Sequence, residues 1–390
     1  MHRTVVQLRR RVVELAVAAL LASRGIAAQS APECIVTVAQ AEARYQKAID
    51  AARRLVCDSL APRIPGLQVA VAVDGKLVWS AAFGYADLAR HARVTRTTMF
   101  RIGSVSKPLT SVALAQLVEQ GKLDLDAPVQ RYVPSFPEKP WPVTTRELGG
   151  HLAGIRHYQG DEFLSHTPYP SVTAGLAIFD RDSLLFEPGT RFSYSSYGFN
   201  LISAVLEGAS GENFLSYMGA HVIRPLGLSH TAPDRADSLI TDRTAFYDRD
   251  TVNGGFQVAP AVDNSYKWAG GGFLSSAEDL VRFGSALLGT GFLRQASLDL
   301  LFTSQRTRDG QPTGYGVGWF LAIDSLGHRR AFHGGGSVGG TTAFGLDRDA
   351  HIAFALTSNL TDAPLGPASR IVPLFVTSSS SSDARRTPHR

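Results

Sequence analysis

The sequence SVSKP at Ser104–Pro108 places a serine three residues before a lysine, at the predicted start of a helix. Proline suits the first turn of a helix and serine suits its N-terminal end, so we predict a helix over Pro108–Gln120. Residues i and i+3 share one helix face, so the Lys107 amine can reach the Ser104 hydroxyl. A lysine whose pKa is lowered can take the proton of a serine hydroxyl and make it nucleophilic. The segment therefore predicts a nucleophile with its base.

Lysine is rare in this chain, and its distribution gives the segment further weight. Arginine supplies most of the positive side chains, and only one of the six lysines, Lys107, follows a serine by three residues. Arginine does not lose its proton in proteins, so a lysine at this place is consistent with a need for a neutral amine. A surface lysine on an amphipathic helix is the alternative interpretation.

Two further motifs carry polar groups that suit the same chemistry. Tyr194 begins the sequence YSS, and a tyrosine near an ammonium can accept or relay a proton, although a tyrosine at the edge of a core is the common alternative. The sequence HGGGS at His333–Ser337 follows a predicted strand. Glycines there let a substrate approach the backbone, so the N–H groups of Gly336 and Ser104 are candidates for an oxyanion hole.

The glycine-rich segment also matches two motifs that its context disfavours. Gly335–Gly339 fits the G-x-S-x-G pattern with Ser337 as nucleophile, but that fold requires its oxyanion loop well upstream, and here the two motifs overlap. Gly334–Gly339 fits a dinucleotide-binding pattern without a surrounding βαβ unit. The sequence has none of the common metal-binding spacings, so we expect no metal, and we interpret His151 and His157 as structural hydrogen-bonding residues.

The formal net charge of +5 on the 390 residues comes from the two ends of the chain. Residues 1–28 contain five arginines and one glutamate, and residues 377–390 contain three arginines and one aspartate. Since the body between them is close to neutral and has no basic stripe with interleaved aromatic residues, nucleic-acid binding is disfavoured. The chain has enough apolar residues for a large core, and no apolar run is long enough for a membrane span.

The same ends suggest a division of the chain into three segments. Residues 1–28 have an arginine-rich start, a short apolar stretch and small residues, which predicts a secretory signal peptide, with a disordered leader or an organelle transit sequence as the alternative. We expect a folded domain over 29–376 and a disordered tail over 377–390. Apolar residues at helical spacing between Cys34 and Cys57 predict a helix about 30 Å long, so we expect these cysteines to remain unpaired.

The order of the predicted elements indicates an α+β protein. Apolar runs on both sides of Asp74–Gly75 predict a β-hairpin, the middle of the chain is helical, and strand-like runs return towards the C-terminus. A sheet assembled from N- and C-terminal segments follows from this order. The predicted helices are Pro108–Gln120, Gly198–Ala209, Asn213–His221 and Ala277–Leu287, and the late strands are Gly318–Ile323, Arg330–His333, Thr341–Leu346 and Ile352–Thr357.

The three motifs, in this order and spacing, resemble the serine β-lactamase/penicillin-binding-protein family in its class C-like branch. The resemblance runs from about Pro65 to Leu360, nearly the whole body of the chain. Its mitochondrial-type branch is the most similar, through GKLDLDAPVQRY at Gly121–Tyr132, GIRHY at Gly154–Tyr158 and VDNSYKWAGGGFLS at Val262–Ser275. The resemblance implies an antiparallel β-lactamase/transpeptidase-like sheet of five or more strands with flanking helices and an inserted helical region.

The resemblance also implies roles for individual residues. Ser104 is implied as the acylated nucleophile, Lys107 as its activating base and Tyr194 as the partner in proton transfer. His333 stands where many relatives have the lysine of K-T-G; a neutral imidazole there can hydrogen-bond Tyr194 or the substrate, and a cation can hold a carboxylate. Ser196 replaces the asparagine of Y-x-N, and its shorter hydroxyl weakens the expected grip on β-lactam side chains.

We therefore interpret the chain as a cofactor-free serine hydrolase that forms an acyl-enzyme. A peptide amide is the first choice of substrate, a carboxylic ester the second and a β-lactam the third. For Lys267, the sequence is equally compatible with a place in the lining of the cleft and with a structural role. A non-catalytic binding module on the same scaffold is the alternative from another class. The predicted signal implies the periplasm or secretion, and the mitochondrial-type resemblance admits a mitochondrial location; the oligomeric state is left open.

Overall fold

A computed structural model describes residue 34 and residues 36–376 of the chain. The predicted leader at 1–28 and the predicted tail at 377–390 lie outside the described residues. The strands are β1 (Val36–Ala41), β2 (Gly66–Val73), β3 (Lys76–Asp87), β4 (Ala92–Arg93), β5 (Phe100–Arg101), β6 (Ala232–Pro233), β7 (Tyr247–Arg249), β8 (Phe256–Val258), β9 (Phe273–Ser275), β10 (Phe320–Ile323), β11 (Arg329–Ser337), β12 (Gly340–Asp347) and β13 (Ile352–Ser358).

The main sheet joins the two ends of the described chain. Its strands follow the order β1-β3-β2-β13-β12-β11-β10, with β4 paired to β3, and every pairing is antiparallel. The N-terminal strand β2 lies beside the C-terminal strand β13, with Val69 opposite Leu356. The predicted hairpin is confirmed, since Asp74 and Gly75 form its turn with φ of 50° and 75°. The α+β class and the sheet built from both ends are therefore confirmed.

Helices occupy the region between the two sets of strands. The predicted helices at 108–120, 198–209 and 277–287 are confirmed to within two residues, whereas the fourth is α-helical only over 214–217 and continues as a π-helix to Ile223. The α-helices are α1 (Gln46–Ser59), α2 (Ser106–Glu119), α3 (Thr145–Gly149), α4 (Val172–Gly175), α5 (Ser196–Ser210), α6 (Phe214–Tyr217), α7 (Trp268–Gly271), α8 (Ala277–Ala286), α9 (Gln295–Phe302) and α10 (371–376).

The central strands β2 and β13 of the main sheet are covered on both faces, which explains the largely apolar sequence of β2. In β2, Ala70 and Ala72 belong to the large core shared with α2, α5 and α8, whereas Val69, Val71 and Val73 belong to a second core shared with α1 and the C-terminal helix. Successive residues of a strand point to opposite faces, so a strand between two cores has no polar face. The sequence pattern of β2 is therefore that of a central strand.

The prediction that Cys34 and Cys57 remain unpaired is wrong. They form a disulfide with a Cα–Cα distance of 5.2 Å. The predicted continuous helix is a strand over Val36–Ala41, paired with β3, followed by a reversal and by α1, whose last turn contains Cys57. The strand leads away from Cys34 and the helix leads back over a similar length, at about 3.3 Å and 1.5 Å per residue. Short apolar runs do not distinguish these two states, because alanine and valine fit both.

Among the helices that the structure describes, none combines the length and the apolar character needed to cross a membrane.

Candidate active site

The SVSK segment begins with a 3-10 turn, Gly103–Val105, which runs directly into α2. Ser104 lies in this turn with a partly exposed side chain, whereas Lys107 lies in the first turn of α2 and is fully buried. The Lys107 Nζ and Ser104 Oγ are 3.0 Å apart. The i, i+3 spacing thus brings the two groups within hydrogen-bond distance, at the start of a helix two residues earlier than predicted.

The other contacts of the Lys107 amine are with uncharged groups. Nζ lies 2.7 Å from the carbonyl oxygen of Gly270 and 3.0 Å from the Ser196 Oγ. Burial, with a smaller contribution from the charge of Lys267, holds the Lys107 pKa well below its usual value. A neutral amine has two hydrogens and one lone pair, so it can donate to Gly270 and Ser196 and accept the Ser104 proton. The geometry therefore suits a base directed at Ser104.

Two histidines position the YSS segment. The His151 Nδ1 accepts the backbone N–H of Ser195 at 3.1 Å, and the His157 Nδ1 accepts that of Ser196 at 3.1 Å. The Ser195 side chain caps α5 by accepting the N–H of Gly198 at 3.1 Å. The prediction that both histidines make hydrogen bonds is confirmed. These two hydrogen bonds hold the backbone at Ser195, which precedes α5, and at Ser196, the first residue of α5.

The Tyr194 phenol lies in the same cluster as the serine and the lysine. Its hydroxyl interacts with the hydroxyls of Ser104 and Ser196, and its ring centre is 4.8 Å from the Lys107 Nζ. Burial raises the Tyr194 pKa to about 12, and the two serine contacts only partly offset this. The phenol is therefore protonated at neutral pH, so it can donate a proton to an atom bound at Ser104.

His333 makes a hydrogen bond to a residue that the sequence motifs did not identify as its partner. Its Nδ1 lies 2.6 Å from the carbonyl oxygen of Gly334, and its Nε2 lies 3.1 Å from the hydroxyl of Tyr315. The Nδ1–H therefore donates to Gly334, and the Nε2 accepts from Tyr315. Burial lowers the His333 pKa to about 3, so the imidazole is neutral at physiological pH. His333 is therefore hydrogen-bonded to Tyr315, whereas the sequence analysis considered Tyr194 as its partner. Because the imidazole is neutral, it has no positive charge with which to hold a carboxylate.

Glycines allow β11 to approach the turn that carries Ser104. A Cβ on Gly103 would lie 2.4 Å from the Gly336 carbonyl oxygen, and one on Gly335 would lie 1.9 Å from the Ile102 carbonyl oxygen. Pairing of β10 with β11 ends at Phe332, and beyond it the 3-10 turn packs against β11. Gly336 differs, because a Cβ there would meet no atom within 4 Å. Gly336 and Ser104 consequently share one open cleft.

That cleft has a volume of about 490 Å³. Its walls include Ser104, Ser196 and Gly336, together with Lys267 from the segment between β8 and β9. Tyr158 and Phe163 add aromatic surface. The SxxK, YSS and glycine-rich motifs therefore meet at one site, although they are separated by more than two hundred residues of sequence.

Two alternative sites find little support in the described part of the chain. The Ser337 Oγ has no hydrogen-bond partner within residues 36–376, so no described base activates it. Asp324, His328 and Asp347 bring possible metal ligands together, but Asp347 already accepts from His328 at 2.9 Å and from Arg330 at 2.7 Å. A carboxylate that is neutralised by an arginine is a poor metal ligand, and this group is better described as an ion-pair network.

Comparison with known proteins gives a consistent result. The family model described as Beta-lactamase matches residues 43–371. The mitochondrial serine beta-lactamase-like protein LACTB of Mus musculus is 37% identical in an alignment that covers 57% of this chain and 54% of that protein. A D-aminopeptidase of Gluconobacter oxydans is 28% identical, with 70% of this chain and 51% of that protein covered. The chain spans about half the length of these curated relatives.

A solved structure shows the same fold over a greater length. The crystal structure of a D-stereospecific amidohydrolase from Streptomyces sp. superposes with a TM-score of 0.68 over 85% of this chain and 98% of that one. The two sequences are 24% identical, so the likeness concerns the fold.

Proposed function

This chain belongs to the β-lactamase family of serine hydrolases, and we propose that it hydrolyses peptide amide bonds through an acyl-enzyme on Ser104. The observation that carries the proposal is the 3.0 Å contact between the Ser104 Oγ and the amine of Lys107. That amine is fully buried and its other hydrogen-bond partners are uncharged, so it is suited to act as a base.

The reaction begins when Lys107 takes the Ser104 proton and Oγ attacks the substrate carbonyl. The N–H groups of Ser104 and Gly336 hold the negative oxygen that forms. Tyr194 gives its hydroxyl proton to the leaving nitrogen as the carbon–nitrogen bond breaks, and Lys107 returns a proton to Tyr194. A water molecule then attacks the ester formed on Ser104. Lys107 and Tyr194 transfer the proton of this water, and the acid is released. The overall reaction converts an amide and water into a carboxylic acid and an amine.

An amide is favoured over an ester or a β-lactam by two features of the site. Amide leaving groups need protonation, and Tyr194 with a pKa raised to about 12 remains a proton donor at neutral pH. The Ser196 hydroxyl already contacts Lys107 and is shorter than an asparagine side chain, so it offers less to a β-lactam side chain. The similarity to a D-aminopeptidase supports the same choice.

The nucleophile is tested by covalent labelling. We expect a fluorophosphonate to add one label per chain, located on Ser104 by peptide mass spectrometry, and to leave Ser104→Ala unlabelled. Ser337→Ala is the matched control for the competing motif and should label like the native chain. Absence of a label on the native chain would favour the non-catalytic binding module, and a label that persists in Ser104→Ala would refute the assignment.

The leaving group is tested with a panel of peptide p-nitroanilides, a short-chain p-nitrophenyl ester and nitrocefin. Because the three substrate classes differ in intrinsic reactivity, each kcat/KM is divided by the rate of uncatalysed hydrolysis, and we expect the anilides to have the largest ratio. Cleavage of nitrocefin or of the ester alone would redirect the proposal to those classes, since all three share the same attack on a carbonyl.

The disulfide bears on the location of the protein. Disulfides persist in oxidising compartments, so the Cys34–Cys57 bond supports the proposed export to the periplasm or secretion over a reducing compartment. The similarity to a protein named as mitochondrial keeps mitochondria as the alternative. Fractionation of the native cells, with thiol labelling before reduction, tests both the location and the bond.

A further inference from the structure

The hydroxyl of Ser196 bridges the base and the proton donor of the site. Its Oγ lies 3.0 Å from the Lys107 Nζ, and it also interacts with the hydroxyl of Tyr194. Ser196 is 2% exposed and begins α5, and the His157 Nδ1 accepts its backbone N–H at 3.1 Å. A buried hydroxyl with a fixed backbone is therefore in contact with both groups that exchange protons in the proposed reaction.

The contacts of the Lys107 amine limit the routes by which its proton can reach Tyr194. Among the described residues, the Nζ hydrogen-bonds to Ser104, to Ser196 and to the carbonyl oxygen of Gly270. The Gly270 carbonyl has no hydrogen to pass on, whereas Tyr194 interacts with both serine hydroxyls. A proton that moves through side chains from the amine to the phenol therefore crosses one of these two serines.

Ser104 does not provide this route once it has attacked the substrate. Its Oγ has then lost its hydrogen to Lys107 and is bonded to the substrate carbon. Protonation of that oxygen would reverse the attack, because it would turn the Oγ into the leaving group. The Ser196 hydroxyl keeps its hydrogen after the attack, so it is the serine that can carry a proton when the leaving nitrogen needs one.

A third group sets the direction of the Ser196 O–H. The Tyr158 hydroxyl interacts with Ser196, and burial raises the Tyr158 pKa, which this contact offsets only in part. The Tyr158 phenol is therefore protonated and can donate. A serine hydroxyl accepts two hydrogen bonds and donates one. With Tyr158 and Lys107 as its donors, the Ser196 hydrogen is directed to the Tyr194 oxygen, and the Tyr194 hydrogen is left for the atom bound at Ser104.

We propose that Ser196 relays the proton that Lys107 returns to Tyr194 when the leaving amine departs. This inference rests on the proposed amide hydrolysis and adds a residue to its acylation step. As the carbon–nitrogen bond breaks, Tyr194 gives its hydrogen to the leaving nitrogen and Ser196 gives its hydrogen to Tyr194. The Lys107 ammonium gives one hydrogen to Ser196. Both hydroxyls are thereby restored, Lys107 is neutral again, and the proton taken from Ser104 is balanced by the one on the amine product.

The relay is tested by two reactions of Ser104 that differ in their leaving group. A peptide p-nitroanilide and a fluorophosphonate both need Lys107 to take the Ser104 proton, but fluoride leaves without protonation and the amine does not. We expect Ser196→Ala to lower kcat/KM for the anilide by at least about tenfold more than it lowers the labelling rate. Ser196→Thr keeps a hydroxyl, so its ratio of the two rates should stay within about threefold of the native ratio.

Two further variants separate a relay from a structural role. Ser195→Ala removes the neighbouring buried hydroxyl, which caps α5, so it should slow both reactions by a similar factor. Ser196→Asn keeps polar contacts but should show the selective loss, because an amide donates and accepts on separate atoms. Adding Ser196→Ala to Tyr194→Phe should cause no further selective loss, since both residues belong to one chain of transfers.

Equal losses of both reactions in Ser196→Ala overturn the relay, and so does a Ser196→Thr variant with the same selective loss as alanine. Losses that multiply in the double variant also overturn it, because they show two independent steps. If Ser196→Ala has no cooperative thermal melt, Ser196→Asn decides by the same comparison. A native chain that is labelled but cleaves no anilide overturns the proposed amide hydrolysis itself, so the two failures are distinguishable.

Discussion

At the scale of the residue, the charge state of Lys107 governs the chemistry of the site. Its Nζ has three hydrogen-bond partners, Ser104, Ser196 and Gly270, and none of them carries a charge. An ammonium buried among such groups loses solvation without gaining an ion pair, which lowers its pKa. The chain contains few lysines, and the presence of one at position 107 is consistent with a need for an amine that can be neutral.

Replacement of Lys107 by arginine separates charge from basicity. Arginine keeps the positive charge and cannot give up its proton, so we expect Lys107→Arg to lose at least about 10³-fold in the rate of fluorophosphonate labelling. The thermal melt serves as the control for folding. Labelling at close to the native rate in a folded variant would contradict the assignment of Lys107 as the base.

The pH dependence of labelling identifies which group titrates. The pKa of Lys107 is lowered, so the neutral base is present above that lowered value and the labelling rate should fall as the pH decreases through it. His333 has a pKa lowered to about 3 and is therefore neutral at physiological pH, so His333→Gln should keep the midpoint of the profile. If the midpoint disappears in His333→Gln, the fall in labelling rate at low pH is caused by protonation of the imidazole and not of Lys107.

Removal of the Tyr194 hydroxyl tests its role as a proton donor. We expect Tyr194→Phe to lower kcat/KM for a peptide p-nitroanilide by about 10²-fold or more. The loss for a p-nitrophenyl ester should be smaller, because its leaving group departs without protonation. The ratio of the two rates is the measurement, and equal losses on both substrates would show that the hydroxyl acts through structure and not through the leaving group.

At the scale of the element, the cleft depends on the close packing of the 3-10 turn Gly103–Val105 against β11. The turn carries Ser104 and the strand carries Gly336, and glycine at 103 and at 335 removes the Cβ atoms that would collide. Glycine at 336 is different, because a side chain there would point into open space. The sequence HGGGS therefore combines glycines with two separate functions, one in packing and one in access to the backbone.

Alanine substitutions of adjacent glycines distinguish these functions. Gly335→Ala places a Cβ 1.9 Å from the Ile102 carbonyl oxygen, so we expect the free energy of unfolding to fall by about 1–3 kcal/mol and labelling to slow. Gly334→Ala meets no atom within 4 Å and should change that free energy by less than about 1 kcal/mol. Denaturant unfolding measures both. Equal stabilities would show that β11 and the turn are not as closely packed as described.

At the scale of the whole molecule, the sheet is completed by segments from both ends of the described chain. Strands β2 and β13 form its centre, and a separate core packs on each face of these two strands. The Cys34–Cys57 disulfide ties the first strand to the end of α1, which packs in the second core with Tyr45 and Phe375. The face opposite the active-site helices is therefore closed by an N-terminal and a C-terminal segment together.

Loss of the disulfide should destabilise the molecule. A bond that closes a loop over a sequence separation of 23 is worth about 2–4 kcal/mol through the entropy of the unfolded chain. We expect the double variant Cys34→Ser/Cys57→Ser to lose about that amount in denaturant unfolding and to become insensitive to a reducing agent. Native protein that is equally stable with and without reductant would contradict a stabilising role for the bond.

Much of the fold and the arrangement of the site could be predicted from short-range patterns. The hairpin at Asp74–Gly75, the helix that follows SVSK and the late strands follow from turn chemistry and from apolar spacing. The helix predicted between Cys34 and Cys57 is confirmed only over α1. Its first part is wrong because β1 exists only through its pairing with β3, and a window of sequence carries no information on that partner. The same limit hid the contact of His333 with Tyr315.

The family resemblance, the α+β class and the serine–lysine pair can be read from the sequence, because they depend on residue order and on contacts within one helical turn. The lowered pKa values of Lys107 and His333, the disulfide, and the placement of Lys267 and Ser337 at one cleft depend instead on the folded chain. Burial and long-range packing set those properties: desolvation acts on a group after the whole chain has closed around it, and side chains from distant elements meet only in the folded state.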